Sequence, residues 1–345
     1  MRTLPIIFTL ILTGAYSILI LIYYKAFVRL KIFKPSANIN PVNSFSIIIP
    51  ARNEEENIRS CIVSIFQNNY PSALFEVIVV DDFSTDKTIE TVRKLQQEHT
   101  NLQLINLADR VQHKLNSYKK KAIETAIGES KHEWIITTDA DCLVKPEWLQ
   151  LFDAYIQTHR SVFIAAPVIF SNTGSFVSIF QCLDFMSLQG ITAASVSSGF
   201  HSMCNGANLA YKKNVFYEVG GFKGVDAIAS GDDMLLMHKI KMKHPKNISY
   251  LFNENVIVTT SPMPDWNSFI NQRIRWASKS TNYNDKRIFM VLVLVYFFNL
   301  FLFMLPFFSF VVPVLFLYWL ILIALKTICE LFFLIPVSRF FNQQK

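Results

Sequence analysis

Two long uncharged segments frame the chain. Residues 4–24 read LPIIFTLILTGAYSILILIYY, close to the roughly twenty residues that a helix needs to cross about 30 Å of hydrocarbon. The second segment, residues 288–325, is uncharged over about twice that span, with Pro306 and Pro313 near its middle. We therefore predict one N-terminal membrane helix and two C-terminal membrane helices joined by a tight hairpin.

Charges beside the first segment predict its orientation. Lys25, Arg29, Lys31 and Lys34 follow it, whereas Arg2 alone precedes it. Because positive residues accumulate on the cytoplasmic side, we expect a multi-pass protein of the cell membrane whose central region is cytosolic. An uncleaved anchor is favoured over a signal peptide, since the apolar core is too long and no small-residue cleavage site follows it.

Two opposite charges interrupt the last apolar stretch. Lys326 and Glu330 stand four residues apart, so they would share one helix face and could pair within lipid. The pair would serve as a packing contact or as part of a polar path. The sequence after residue 341 has no obvious finish, which is compatible with a further membrane segment beyond residue 345.

Between the apolar segments, short β-rich runs alternate with helical periods. The predicted strands are residues 44–50, 75–80, 102–107 and 134–138. A helix capped by Asn53 is expected after the first strand, and another at residues 119–127 before the fourth. Continuous apolar strands separated by amphipathic helices predict an α/β fold with a mainly parallel, Rossmann-like sheet covered on both faces.

These patterns divide the chain into four regions. They are an anchor at 1–30, an α/β domain at 31–260, an interfacial helix at 261–287, and two membrane helices with a short cytosolic tail at 288–345. In the third region, a helix beginning at Asp265 would place Trp266, Phe269, Ile270 and Ile274 on one apolar face. That face could rest on the membrane or simply pack against protein.

Composition and missing motifs narrow the class of protein. With 51% hydrophobic and 17% charged residues, the chain is too apolar for a disordered or a purely soluble protein. The five cysteines are scattered, which argues against a disulfide framework or a zinc site and favours a reducing cytosol. The absence of G-x-G-x-x-G, of G-x-x-x-x-G-K-[ST] and of G-x-S-x-G argues against dinucleotide oxidoreductases, P-loop ATPases and common esterases.

Acidic side chains follow the ends of the predicted strands. Asp81 and Asp82 end the second strand, and Asp139 and Asp141 follow the fourth. In a parallel sheet these ends form the ligand-binding edge. Spaced two apart, Asp139 and Asp141 could share one Mg²⁺ or Mn²⁺, whereas alone they could equally be solvated loop acids. The further pair in Gly231-Asp232-Asp233 could supply a general base.

Six segments taken together carry a family resemblance. They are SIIIPARNEEENI (46–58), VIVVDDFSTDKT (77–88), TTDADC (137–142), NGANLAYKK (205–213), GDDM (231–234) and QRIRW (272–276). In order and spacing they resemble the family 2 glycosyltransferases of the GT-A fold, over nearly all of the central region. The resemblance implies a membrane-bound inverting enzyme that uses a nucleotide-diphosphate sugar, usually UDP-linked, and a divalent cation, Mg²⁺ or Mn²⁺.

The resemblance also implies roles for individual residues. The donor-binding set would be Pro50, Arg52, Glu54, Asp81, Asp82, Lys119, Asp139, Gln272, Arg275 and Trp276. Asp139 and Asp141 match the D-x-D metal motif, and Asp233 matches the catalytic base. The acceptor side would hold Asn205, Gly206, Asn208 and Asp232.

One of these assignments leaves alternatives. Lys119 stands at the lysine position of the family's G-K-x-x-A-L-N-x-G stretch, which reads YKKKAIETA here and lacks the glycine and the asparagine. Lys120 and Lys121 are therefore alternatives for the lysine that meets the pyrophosphate.

The leading hypothesis is a transferase with three partners: a nucleotide-sugar donor, a lipid or lipid-linked glycan acceptor, and the cytoplasmic membrane face. The alternative is a processive polysaccharide synthase, for which three spans look too few unless subunits associate. A non-catalytic membrane scaffold explains less of the sequence, and no recognised nucleic-acid-binding module is present. The sugar, the acceptor, the preferred cation and the oligomeric state are left open.

Overall fold

The computed structural model describes residues 3–36, 39–110, 117–225, 231–278 and 285–342. Its helices are α1 (Thr3–Val28), α2 (Ile58–Phe66), α3 (Thr88–Glu98), α4 (Tyr118–Glu129), α5 (Trp148–Thr158), α6 (Phe176–Ser198), α7 (Lys213–Glu218), α8 (Asp232–Lys243), α9 (Trp266–Ala277), α10 (Lys286–Ser309) and α11 (Val314–Phe340). Its strands are β1 (Phe45–Ala51), β2 (Phe75–Asp81), β3 (Leu102–Asn106), β4 (Trp134–Thr137), β5 (Phe163–Ala165), β6 (Val168–Phe170), β7 (Leu209–Lys212), β8 (Ile248–Tyr250) and β9 (Val258–Thr260).

These elements belong to two compact units. One unit contains α1, the part of α6 from Met186 onward, α10 and α11, and we call it the helical unit. The other contains the strands, the remaining helices and the part of α6 up to Phe185, and we call it the sheet unit.

A seven-stranded sheet in the order β3-β2-β1-β4-β7-β5-β8 forms the centre of the sheet unit. Strands β1, β2, β3 and β4 run parallel to one another, and β5 runs parallel to β8, whereas β7 is antiparallel to both β4 and β5. Every residue of β2 is buried, as expected for an apolar strand covered on both faces. The predicted α/β fold with a mainly parallel sheet is therefore confirmed.

The loop after β1 differs from the prediction. Asn53 does not cap a helix, because α2 begins at Ile58. Asn53 instead adopts a left-handed backbone with φ 54°, which asparagine tolerates better than most residues. Its side-chain oxygen accepts a hydrogen bond from the Thr85 amide at 2.8 Å, and its own amide donates to Ser84 Oγ at 3.0 Å. The polar loops after β1 and β2 are thus tied together.

Four of the described helices are long and apolar enough to cross a membrane: residues 9–28 of α1, and all of α6, α10 and α11. The N-terminal helix and the two C-terminal helices match the prediction, with residues 310–313 between α10 and α11. Helix α6 was not predicted as a candidate span. It is less apolar than α10, because serine, threonine and glutamine interrupt its apolar run.

The predicted pairing of the two charges in α11 is confirmed. Lys326 Nζ lies 2.7 Å from Glu330 Oε1, and the hydroxyl of Tyr16 donates a hydrogen bond to the same carboxylate oxygen. Burying an ammonium in an apolar bundle is costly unless a counter-charge neutralises it. The Tyr16 bond therefore joins α1 to α11 through a carboxylate that is already paired.

A glycine permits close packing of α6 against α11 within the helical unit. A Cβ placed on Gly190 would lie 2.7 Å from Val337 Cγ2 and 3.0 Å from the Phe333 ring. Small residues at such crossings let helix backbones approach. Because valine is short and branched, it cannot swing away from an added methyl group.

We expect Gly190→Ala to lower the melting temperature of the detergent-solubilised protein. Overpacking of this kind costs about 1–3 kcal/mol. The matched control is Gly14→Ala in α1, where a Cβ would meet no atom within 4 Å. Equal melting temperatures for the two variants in differential scanning fluorimetry would contradict the close contact.

Candidate active site

Carboxylates at the end of β2 form one side of the candidate site. Asp81 Oδ2 accepts a hydrogen bond from the Ser84 amide at 3.1 Å. The Oδ1 atoms of Asp81 and Asp82 are both buried and have no hydrogen-bond partner among the described residues. A buried carboxylate oxygen without a donor is unfavourable. These two oxygens are thus available to accept hydrogen bonds from a ligand.

Two other residues predicted for the donor lie at the same edge of the sheet. Pro50 is half-buried in β1 and pairs in register with Val80 of β2. Arg52 is exposed just beyond β1, and its positive charge acts on Asp82. Burial raises the pKa of Asp82 above its usual range, with the charge of Arg52 working against the shift.

A single lysine links acids from distant parts of the chain. Lys119, in α4, places its Nζ 2.6 Å from Asp139 Oδ1 and 3.9 Å from Asp232 Oδ2. Asp139 follows β4, and Asp232 is the first residue of α8. Burial works to lower the pKa of Lys119, but the charges of Asp139, Asp232 and Asp233 outweigh it and raise that pKa. The lysine is therefore held as a cation.

The neighbouring lysines have other contacts. Lys120 is buried and its Nζ donates to the Val225 carbonyl at 2.7 Å, whereas Lys121 Nζ lies 3.4 Å from Glu124. Of the three candidates for a phosphate-facing lysine, the geometry favours Lys119.

Asp141 is held by a residue that the sequence did not suggest. Its Oδ2 accepts a hydrogen bond from Thr260 Oγ1 at 2.7 Å, and Thr260 is the last residue of β9. Burial and the charge of Asp139 raise the pKa of Asp141. Burial and the charges of Asp141 and Asp139 also raise the pKa of Glu54, which indicates that Glu54 lies near both carboxylates.

Asp233 is positioned by the backbone. Its Oδ2 accepts a hydrogen bond from the Gly206 amide at 3.0 Å, and its Oδ1 accepts from the Met234 amide at 2.7 Å. A Cβ on Gly206 would lie 3.3 Å from Asp232 Oδ2, so the glycine lets the backbone approach both acids. The carbonyl of Gly206 accepts from Thr137 Oγ1 at 2.8 Å, which connects this segment to β4.

The structure corrects the expectation for Asn208. Its side chain is fully buried. The amide nitrogen donates to the carbonyls of Pro167 and Val256, both at 2.8 Å, and the amide oxygen accepts from Trp148 Nε1 at 3.0 Å. All of its polar atoms are satisfied inside the protein, so Asn208 is structural and does not line the acceptor side. Asn205 is only half-buried, and its side chain accepts from the Ala207 amide at 2.9 Å.

The QRIRW segment lies in α9, which starts at Trp266, one residue after the predicted start at Asp265. Asp265 caps the helix by accepting a hydrogen bond from the Ser268 amide at 2.8 Å. Arg273, absent from the predicted site, is stacked between the rings of Phe269 at 4.7 Å and Trp276 at 4.1 Å. It also forms an ion pair with Asp184 of α6.

Among the described residues, the three motif residues of α9 form no direct hydrogen bond or ion pair with the acids. Gln272 accepts from Arg273 at 3.3 Å, Arg275 is exposed, and Trp276 is half-buried. Within the described ranges, neither Gln272 nor Arg275 hydrogen-bonds or ion-pairs with the acids. The acids of β4 and α8 thus come together with Lys119, whereas the α9 motif is not joined to them by a direct bond.

The sequence pattern of "Glycosyl transferase family 2" matches residues 46–220, and that of "Glycosyl transferase family group 2" matches residues 134–337. The chain belongs to glycosyltransferase family 2. It is 28% identical to glycosyltransferase AglE of Haloferax volcanii over 61% of its own length and 65% of that relative. The chain thus spans less than two thirds of AglE.

A second relative is more similar over a shorter stretch. It is the dolichyl N-acetyl-alpha-D-glucosaminyl phosphate 3-beta-D-2,3-diacetamido-2,3-dideoxy-beta-D-glucuronosyltransferase of Methanococcus voltae, 41% identical over 17% of this chain and 18% of that enzyme. Among solved structures, the mannosyltransferase of Pyrobaculum calidifontis, in complex with GDP-Man and Mn²⁺, aligns over 98% of both chains with a TM-score of 0.63 and 19% identity. This likeness supports the GT-A fold.

The raised pKa of Asp82 predicts that its ionised carboxylate destabilises the folded protein. Since its pKa is raised in the folded protein, the folded state binds the proton more tightly than the unfolded one, and stability falls as the pH rises through that interval. We expect Asp82→Asn to raise the melting temperature at pH 7.5. The gain should shrink as the pH approaches about 4, the ordinary pKa of an aspartate.

The control for this prediction has the opposite sign. Although burial acts against the shift, hydrogen bonds from the Thr88 hydroxyl and amide and from the Glu55 amide lower the pKa of Asp86. Its ionised form therefore stabilises the folded state above the ordinary pKa. Asp86→Asn should lower the melting temperature at pH 7.5. Shifts of the same sign for both variants would contradict the assignment.

Proposed function

We propose that this chain is a membrane-bound inverting glycosyltransferase that moves a sugar from a nucleotide-diphosphate sugar to a lipid or lipid-linked glycan at the cytoplasmic membrane face. We expect a UDP-sugar as the donor. The observation that carries the proposal is the convergence of Asp139, Asp232 and Lys119, which brings opposite charges from three elements to the binding edge of the sheet.

The nucleoside would lie beside β2. Carboxylate oxygens only accept hydrogen bonds, and a nucleoside offers the matching donors as base N–H groups and ribose hydroxyls. The unpartnered Oδ1 atoms of Asp81 and Asp82 fit such donors. The exposed guanidinium of Arg52 would balance part of their negative charge when the donor is bound.

The residues present also fit a divalent cation. Asp139 is half-buried and Asp141 lies two residues further on, so both offer the oxygen ligands that Mg²⁺ and Mn²⁺ accept. Among the described residues, no group of three or more His, Cys, Asp or Glu side chains is arranged to hold a metal ion. Magnesium is commonly held by one or two carboxylates together with substrate phosphates, so the diphosphate would complete the site.

The chemistry then follows from the positions of the side chains. Asp233 would accept the proton of an acceptor hydroxyl while that oxygen forms a bond to the anomeric carbon and the bond from this carbon to the diphosphate breaks. Attack on the face opposite the leaving group inverts the anomeric configuration. Lys119 would stabilise the negative charge on the departing diphosphate, which a bound cation would also neutralise. The Gly206 amide holds Asp233 Oδ2 in place, leaving the carboxylate oriented for the transfer.

An exposed aromatic surface supports an acceptor at the membrane. In the sheet unit, the start of α6 and one face of α9 leave Phe176 75% and Ile274 61% exposed. The exposed ring of Trp266 joins α9 to the start of α6, with its centre 6.2 Å from that of Phe176 and 5.2 Å from that of Phe180. Contiguous exposed apolar side chains of this kind are typical of surfaces that rest on lipid. The name of the Methanococcus voltae relative, which gives a dolichyl N-acetyl-alpha-D-glucosaminyl phosphate as its substrate, favours a lipid-linked acceptor.

The test is a nucleotide-release assay on the purified full chain in nanodiscs, with Mn²⁺ or Mg²⁺, a panel of UDP- and GDP-sugars, and membrane lipid extract as acceptor. Mass spectrometry of the lipid fraction would identify the product. Addition of one sugar supports the proposal, whereas a ladder of masses would replace it with the processive synthase. Release from no donor in the panel would overturn it.

We expect Asp233→Asn to lower kcat by about 10²–10⁴-fold, the usual contribution of a general base. Donor binding, measured by calorimetry with the sugar nucleotide, should persist because the amide keeps an oxygen for the Gly206 bond. The matched control is Asp109→Asn at an exposed position after β3. An Asp233→Asn enzyme with the kcat of the control would remove Asp233 from the role of base.

A further inference from the structure

The ammonium of Lys119 is paired with Asp139, the carboxylate that a divalent cation would need as a ligand. Its Nζ lies 2.6 Å from Asp139 Oδ1, within the distance of a charge-assisted hydrogen bond. Asp232 Oδ2, at 3.9 Å, is at the outer limit of an ion pair. Lys119 is thus held chiefly by Asp139, the first acid of the motif expected to bind the metal.

The surrounding charges explain why this lysine is retained there. Asp139, Asp141, Asp232 and Asp233 are acids of one neighbourhood, and Asp141 has a raised pKa because of burial and the charge of Asp139. Like charges gathered in a partly buried site repel one another. In the absence of a ligand, the ammonium of Lys119 offsets part of that repulsion.

We propose that Lys119 is an internal counter-ion that competes with the divalent cation for Asp139 and is transferred to the donor diphosphate when nucleotide and cation bind. This inference rests on the proposed function, since it names how the same site is loaded. In the free enzyme, Lys119 would pair with Asp139 in the position that the cation takes. In the complex, Lys119 would bind the diphosphate.

The exchange makes a thermodynamic prediction. A cation that binds alone must separate the partly exposed ammonium of Lys119 from Asp139 and leave it without that partner, so the affinity of the cation is weakened. When a diphosphate is present, the displaced ammonium gains a new anionic partner. Cation and nucleotide therefore strengthen each other's binding by the same factor, as linkage requires, and such couplings are typically about 5–150-fold.

The helix that carries Lys119 offers a matched control. Lys121 is in the same helix, is similarly exposed, and is paired with Glu124 at 3.4 Å. Replacing Lys121 by methionine removes one positive charge from α4 without touching the pair with Asp139. A difference between the two lysine variants would thus report the local contact, because the change in net charge is the same.

The experiment measures Mn²⁺ affinity of the purified full chain by electron paramagnetic resonance of free Mn²⁺, without nucleotide and with saturating UDP or GDP in separate arms. In the wild type, we expect nucleotide to tighten Mn²⁺ binding by about 5–150-fold. In Lys119→Met, nucleotide-free Mn²⁺ affinity should rise at least about fivefold and the coupling should fall below the wild-type value, leaving only the part that comes from phosphate ligation of the cation. Lys121→Met should behave as the wild type.

A charge-retaining variant separates the contact from a folding defect. Lys119→Arg should restore weak nucleotide-free Mn²⁺ binding, and melting temperatures would show that each variant is folded. Unchanged nucleotide-free Mn²⁺ affinity in folded Lys119→Met would overturn the inference, as would undiminished coupling. These readouts need no turnover. An exchange seen in a protein that transfers no sugar would therefore count against the proposed function alone.

Discussion

Electrostatic repulsion among clustered carboxylates is the constraint on which the candidate site depends. Asp139 and Asp232 stand more than ninety residues apart in the chain, and the fold brings both within 4 Å of one ammonium. Such a cluster persists only with positive charge inside it, because burial makes each additional unpaired carboxylate more costly. The ammonium of Lys119 is therefore part of the architecture of the site.

The sheet explains how these acids meet. Parallel strands β1, β2 and β4 end at one edge, so Asp81 and Asp139 emerge on the same side although α3, β3 and α4 lie between β2 and β4 along the chain. The antiparallel strand β7 then returns the chain from that edge, and Gly206 lies three residues before its start. This reversal brings the Gly206 amide to Asp233.

Much of this arrangement could be predicted from the sequence. Runs of apolar residues predicted both ends of β1, β2, β3 and β4 to within one residue, because buried parallel strands have continuous apolar sequences. The three most apolar helices were located by the same logic. Helix α6 was not predicted as a candidate span, since hydropathy alone cannot distinguish a polar-interrupted membrane-length helix from a helix packed in protein.

The remaining differences concern side-chain partners. The family motif predicted that Asn208 lies near the acceptor, but three hydrogen bonds to Trp148, Pro167 and Val256 hold its side chain in the interior. Thr260 supports Asp141 from more than a hundred residues away, and no local pattern distinguishes it from other strand threonines. Contacts between residues remote in sequence depend on the folded path of the chain, which periodicity does not encode.

The stacked guanidinium of Arg273 has a mechanical consequence. The guanidinium stacks on the rings of Phe269 and Trp276 of α9 and forms an ion pair with Asp184 of α6. Arg273 thus connects the two helices. A lysine at this position could not keep both stacking and the planar ion pair. A displacement of α9 would thus be transmitted through this ion pair to residue 184 of α6.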